Sequence, residues 1–176
     1  MPPTTISSDK PYRISTSEYQ DEDFKARAHA LDDSAVRKTI PLGDICGLTK
    51  LGVHIVRLPP HSKSSTLHWH VSDEEWVYIL ESGEHGATLV TLPQGEAEKT
   101  REETVSKGDF IAFRAASGMG HVICTGDEEI TYLCSGTREP MDVCTYPLQG
   151  KKLVVNRRGG PRWYVNEDDI EFAVRK

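Results

Sequence analysis

The chain has 176 residues, which fits one domain of ordinary size and hardly leaves room for two. Its 21 Lys and Arg against 27 Asp and Glu give a net charge of −6, and an acidic chain is a poor candidate for nucleic-acid binding, which needs a basic face. No apolar run approaches the ~20 residues that span a bilayer, and the opening MPPTTISSDKPYRIS lacks the apolar core of a signal peptide, so no membrane partner and a cytoplasmic location are expected.

Residues 1–37 read as an N-terminal arm with a short helix. Ser15, Thr16 and Ser17 offer capping oxygens ahead of SEYQDEDFKARAHALDD, which holds Ala and few β-branched residues. From about residue 38 the texture changes to short β-like runs between turn signals. The runs fall at 38–41, 46–58, 64–69, 75–81, 85–92, 102–105, 109–114, 119–125, 128–137 and 151–156. Pro59-Pro60, Ser82-Gly83, Pro93-Gln94-Gly95, Gly108-Asp109, Ser117-Gly118 and Gly126-Asp127 separate them. Strands at this pitch with no strong helix between them predict an all-β sandwich or barrel over 38–160.

Residues 161–176 form a C-terminal extension, in which Trp163, Tyr164, Val165, Ile170, Phe172 and Val174 are apolar enough to pack on the barrel or on a second subunit. Charge is uneven: residues 72–129 carry thirteen acids and four bases, whereas 150–162 carry five bases (Lys151, Lys152, Arg157, Arg158, Arg162) and no acid. The basic stretch reads as a solvated strand and turn, or else as an anion or partner contact. Cys46, Cys124, Cys134 and Cys144 show no CxxC spacing, so reduced thiols are expected.

The chemical signal is HWHVSDEEWVYILESG. On a strand, His68 and His70 point to the same face, where two imidazoles can share one divalent metal. Past the bend at Ser72-Asp73, the pattern Glu-x-Val-x-Ile places Glu75 with Val77 and Ile79. An inward carboxylate among apolar neighbours needs a partner, and a metal supplies one. Glu74 competes for the role if strict alternation holds through the bend; Glu75 is preferred. A fourth donor, His121, opens a later apolar run in GDFIAFRAASGMGHVICTG. Three imidazoles and one carboxylate suit Fe, Mn, Co, Ni or Zn and leave positions open for substrate or water.

The joint pattern resembles the two motifs of the cupin superfamily, Gly-x5-His-x-His-x(3,4)-Glu-x6-Gly and Gly-x5-Pro-x-Gly-x2-His-x3-Asn. His68, His70 and Glu75 match the first, with Gly83 displaced by one residue and Ser62 in place of the opening glycine. Gly108 and His121 match a second motif two residues longer, in which Arg114, Ala116 and Thr125 replace the proline, glycine and asparagine. HWH…EEWVYILE, GDFIAF and YLCSGTREPMDVCTYP look closest to small single-domain cupins. The resemblance implies a double-stranded β-helix, that is, a jelly-roll barrel. It also implies one divalent transition metal held by His68, His70, Glu75 and His121. His29, His54, His61 and His85 match nothing and read as structural or surface residues.

Three further residues are candidates for substrate binding. Arg57 could share an inward face with Val53 and Ile55, Arg114 stands near the metal strand, and Tyr132 could line the pocket. There is no phosphate-cradling glycine loop and no Gly-x-Ser-x-Gly elbow. The expected protein is a metal-dependent enzyme of oxygenase, isomerase, decarboxylase or lyase type acting on a small polar metabolite, with oxygenation slightly preferred. The alternatives are a non-catalytic binding module for a metal or small ligand, and a structural barrel with a vestigial site. Exposed sheet edges and the apolar tail favour a homodimer.

Overall fold

A computed structural model describes residues 10–96 and 99–171. Within it, one six-stranded antiparallel sheet is built from β1 (Lys25–His29), β2 (Asp32–Ile40), β3 (Leu51–Leu58), β5 (Glu75–Glu81), β8 (Phe110–Phe113) and β10 (Ile130–Thr137), in the order β1-β2-β3-β10-β5-β8. Opposite it stand two smaller sheets. The first orders β13 (Arg162–Asn166), β12 (Lys151–Asn156), β11 (Met141–Tyr146) and β4 (Trp69–His70); the second orders β7 (Arg101–Val105), β6 (Ala87–Pro93) and β9 (Met119–Thr125). The segment before β4 stitches these two together, through the bridges Lys63↔Cys124 and His68↔His121.

Both layers feed one core. Val56, Leu58, Ile79, Ile130 and Tyr132 from the large sheet meet Ala87, Leu89, Val105 and Ile123 from the facing layer. This is the double-stranded β-helix expected from the sequence. No helix among the described residues is long and apolar enough to cross a membrane.

The lead-in differs from expectation. Only two single-turn 3-10 segments, Thr16–Glu18 and Asp21–Asp23, precede a β1–β2 hairpin that turns at Ala30-Leu31, so the sheet begins at residue 25 rather than 38. Its apolar positions are too thin a stripe to bury a helix. Ala35 and Ile40 are buried on β2 instead, Ile40 in register with Ile55 of β3, and Phe24 is buried where its ring lies 4.2 Å from the Arg57 guanidinium carbon. Long-range pairing overrides the local preference.

Two further strands were not anticipated as such. β11 lies between the runs read from the sequence. β13 uses part of the C-terminal extension to pair with β12, leaving Trp163 and Tyr164 exposed. Phe172, Val174 and residues 1–9 lie outside the described residues. The basic stretch is largely engaged locally: Lys151 donates to Asn166, Lys152 pairs with Glu167 and Arg157 with Asp73.

The departures from the sequence motifs have local explanations. Ser62 and Thr125 pair with each other: the Ser62 amide donates to Thr125 Oγ1 at 3.0 Å, and the Thr125 amide donates to the Ser62 carbonyl at 3.0 Å. Ala116 takes φ +54° where the motif has glycine, a left-handed conformation that costs an L-residue about 1–3 kcal/mol.

Candidate metal centre

His68, His70, Glu75 and His121 reach the barrel interior from three different segments. His70 lies in β4, Glu75 at the start of β5 and His121 in β9; His68 bridges to His121 just before β4. The carboxylate oxygen Oε2 of Glu75 stands 3.2 Å from His121 Nε2, 3.5 Å from His70 Nε2 and 3.6 Å from His68 Nε2. Metal–ligand bonds of ~2.1 Å put neighbouring donors about 3.0–3.4 Å apart, so these separations fit donors around one ion. Glu74 turns to the other side of the strand and is exposed.

The imidazoles are oriented from behind. His68 Nδ1 lies 2.7 Å from the Thr66 carbonyl, and His121 Nδ1 lies 3.3 Å from the Met119 carbonyl. His70 Nδ1 lies 2.6 Å from the Asp142 carboxylate. Each acceptor is an oxygen without a proton, so each ring carries its hydrogen on Nδ1. All three Nε2 atoms are thereby turned toward Glu75. Outer partners of this kind fix the tautomer of metal-binding histidines. Phe113 adds a steric hold, its ring stacked on His121 at 3.5 Å between centroids.

The electrostatics set the ligands apart. Burial pushes the His68 pKa down, which keeps an imidazole neutral and able to ligate. Burial alone would raise Glu75, but the imidazoles around it, His121 and His68 first and then His70, hold its carboxyl well below the usual range. Burial also opposes charge on His70, yet the bond to Asp142 outweighs it and raises the imidazole to about 11, so a metal must displace a proton from this ring when it binds. Asp142 is 1% exposed and also accepts from the amides of Ser72 (2.9 Å) and Asp73 (3.3 Å). A cluster of three imidazoles around one carboxylate needs positive charge at its centre. The donor set of imidazoles and a carboxylate suits a divalent first-row transition metal.

Two clusters extend the set. The sulfur of Cys144 lies within 4.8 Å of His68 and His70 donor atoms, a sulfur donor beside the imidazoles that suits a softer ion. Asp73 and Asp142 likewise group with His70. Neither Cys144 nor Asp142 was among the residues expected here.

The cluster opens on a cavity of about 350 Å³ inside the barrel. Tyr132, His29, His54, Cys134, Tyr146 and Arg37 are among its walls. His29 and His54, read as structural or surface residues, therefore face the cavity, whereas His61 and His85 are exposed. Of the three substrate-binding candidates, only Tyr132 lines it.

Arg57 does not point inward. It does share a face with Val53 and Ile55, but the inward set on β3 is Gly52, His54, Val56 and Leu58, and Val56 and Leu58 are fully buried. Arg57 instead pairs with Asp21 at 2.9 Å on the outside. Arg114 is exposed, at a second, narrow crevice that touches His70, Glu75 and His121.

No protein-family model matches the chain, and no curated protein matches it. Solved structures do. A protein of Acidithiobacillus ferrooxidans, provisionally described as a sugar phosphate isomerase, is 29% identical over 93% of this chain and 97% of its own, with a TM-score of 0.77. A protein of Silicibacter pomeroyi, described as a sugar phosphate isomerase from a cupin superfamily, is 27% identical over 86% of this chain and 94% of its own, with a TM-score of 0.65.

Proposed function

The chain belongs to the cupin superfamily, and on that footing we propose that it is a metal-dependent enzyme acting on a small polar metabolite, with isomerisation of a sugar phosphate the favoured reaction. The observation that carries the metal reading is the convergence of three Nε2 atoms on Glu75, each ring held by an acceptor at Nδ1. His68, His70, Glu75 and His121 would hold one ion of Fe, Mn, Co, Ni or Zn. Bound there, the ion supplies a Lewis acid with positions left for substrate oxygens. The descriptions of the two similar proteins move the preference from oxygenation to isomerisation.

Isomerisation needs groups that move protons, and the cavity holds a pair for that task. His29 Nδ1 accepts from the Leu31 amide at 3.2 Å and lies 2.8 Å from Thr66 Oγ1. Burial depresses its pKa and keeps the ring neutral. Its proton therefore sits on Nε2, donated to the Tyr146 hydroxyl at 3.4 Å. The Tyr146 ring lies 5.7 Å from that of His68, beside the metal ligands. Tyr146 is left able to donate its own hydrogen to a substrate oxygen, with the His29 Nε2 hydrogen bond steadying the phenol oxygen.

The test is turnover by metal-loaded protein against a panel of aldose and ketose phosphates, followed by proton exchange at the carbon next to the carbonyl. Conversion that is lost on chelation and regained on metal addition is expected. Stoichiometric metal without exchange or conversion of any member would overturn the isomerase reading in favour of a binding module.

A homodimer in the cytoplasm belongs to the same proposal. Trp76, Tyr78 and Phe110 form an aromatic patch on the outside of β5 and the edge strand β8, with Tyr78 and Phe110 exposed. The four cysteines are all unpaired, which fits a reducing compartment. Light scattering is expected to give twice the chain mass of 19.6 kDa, falling toward one chain in Phe110→Glu; wild-type protein at 19.6 kDa would end the dimer reading.

A further inference from the structure

The inner face of the large sheet carries polar groups that the metal cluster does not use. Tyr132 Oη and His54 Nδ1 are buried and line the cavity; His54 Nδ1 has no hydrogen-bond partner among the described residues, and Tyr132 Oη has only the neighbouring Arg37 guanidinium within reach. Tyr132 itself is 2% exposed. They stand on neighbouring strands, with His54 on β3 registered against Cys134, two residues along β10 from Tyr132. A buried polar group left without a partner costs about 1–3 kcal/mol. Two buried polar atoms facing one cavity mark a place where something polar binds.

The sign of that ligand follows from the arginines. Four of them border the cavity: Arg37, Arg138, Arg157 and Arg162. Arg138 pairs with Asp44 at 2.6 Å and Arg157 with Asp73 at 2.7 Å. Arg37 donates through Nη1 to the Ser64 carbonyl at 3.2 Å and makes no ion pair among the described residues. It lies on β2, beside β3, and its charge acts on Tyr132, Cys134 and His54 alike. Glu75 also acts on both Tyr132 and Cys134, and a bound metal would neutralise its charge. The β2–β3–β10 part of the cavity wall is then left cationic, with a hydroxyl and an imidazole on the strands beside that of the guanidinium. A planar fork of N–H donors next to two further donors matches the several acceptors of a phosphate.

We propose that Arg37, His54 and Tyr132 form an oxyanion subsite in the cavity and that it holds the phosphate of a phosphorylated metabolite. The proposal rests on the metal reading only for the other end of the substrate, whose oxygens would meet the ion. The cavity volume of about 350 Å³ is near the lower end of the ~300–1,000 Å³ common for small-molecule sites, so both ends of one small molecule are served by the same chamber. Arg37 also gives the site a direction: the charged end is bound at the β2–β3–β10 wall and the reacting end at His68, His70, Glu75 and His121.

The experiment is calorimetric titration of inorganic phosphate, and separately of acetate, into the full-length protein as isolated, with its metal content measured, and again after chelation. Wild type is compared with Arg37→Gln, Tyr132→Phe and Arg57→Gln, the last removing an equal charge from the outer face. Thermal unfolding and metal uptake are recorded for each, so a loss of fold or of the metal site is seen separately. Phosphate is expected to bind the wild type and Arg57→Gln alike, at least tenfold more weakly to Arg37→Gln, and three- to tenfold more weakly to Tyr132→Phe. No phosphate binding to wild type, or equal binding to a folded Arg37→Gln, would overturn the subsite. Tighter acetate than phosphate binding would replace a phosphate by a carboxylate and overturn the assigned ligand. A wild type that binds phosphate and takes up no metal would leave the subsite standing and remove the metal reading alone.

Discussion

Replacing His68 and His121 together by alanine is expected to abolish stoichiometric metal binding. Elemental analysis of untagged wild-type protein should give close to one equivalent of Fe, Mn, Co, Ni or Zn per chain, and the double variant less than about a tenth. The reason is geometric. Three imidazole Nε2 atoms lie 3.2–3.6 Å from one oxygen of Glu75, and removing two leaves His70 and Glu75, a pair too sparse to hold an ion against water. A readout in stability should accompany the loss. An ion that binds only the folded state stabilises it by RT ln(1 + [L]/Kd), about 4 kcal/mol at a thousandfold excess over Kd. Metal addition should therefore raise the unfolding temperature of the wild type and leave that of the variant unmoved. Full occupancy in the variant, or none in the wild type after titration, would sink the proposed centre.

What the sequence made legible about this centre is bound up with alternation. The spacing of His68 and His70 puts both rings on one side of an extended segment, and Val77 and Ile79 mark the side to which Glu75 belongs. The bend at Ser72-Asp73 shifts the register enough to send Glu74 outward, where its amide donates to Thr137 Oγ1. Arg57 shows the limit of the same reasoning. Alternation grouped it correctly with Val53 and Ile55 but could not say which face of β3 is inside, because both faces carry apolar residues. On the outer face Ile55 stands beside Ile40, its buried partner in register on β2.

The rest was hidden for a different reason. β11 turns Asp142, Cys144 and Tyr146 toward the interior, so its buried face reads as a carboxylate, a thiol and a phenol rather than as an apolar stripe. A period-two hydrophobic pattern cannot reveal a strand whose inward side is polar by function. The signal available was chemical: a carboxylate flanked by Met141 and Val143 in a β-rich stretch needs a buried partner. His29 and His54 were obscured in the same way, each sitting alone in sequence and gaining its neighbours only when β1–β2 and β3 close over the cavity.

Asp142→Asn is expected to weaken metal binding about 10–100-fold while leaving the barrel folded. In the wild type, Asp142 Oδ2 accepts the His70 Nδ1 proton at 2.6 Å, and Oδ1 accepts the Ser72 and Asp73 amides at 2.9 and 3.3 Å. Asparagine has one oxygen for these three donors. If that oxygen stays with the two amides, its NH2 group faces His70 Nδ1 and forces it to accept. The ring proton then moves to Nε2, the atom that must be bare to bind a metal. If the amide flips, His70 keeps its acceptor, but two backbone N–H groups face an NH2 group, and the β4–β5 bend that positions Glu75 loses its anchor. Both arrangements penalise the bound state. The measurement is a competition titration with a chelator of known affinity, alongside the nitrogen chemical shifts of His70, which report where its proton resides. A shift of the proton to Nε2 with weaker binding is the first arrangement; weaker binding with the proton retained on Nδ1 is the second. Unchanged affinity would show that Asp142 does not act through His70, and that the imidazole is oriented by the β4–β11 pairing alone.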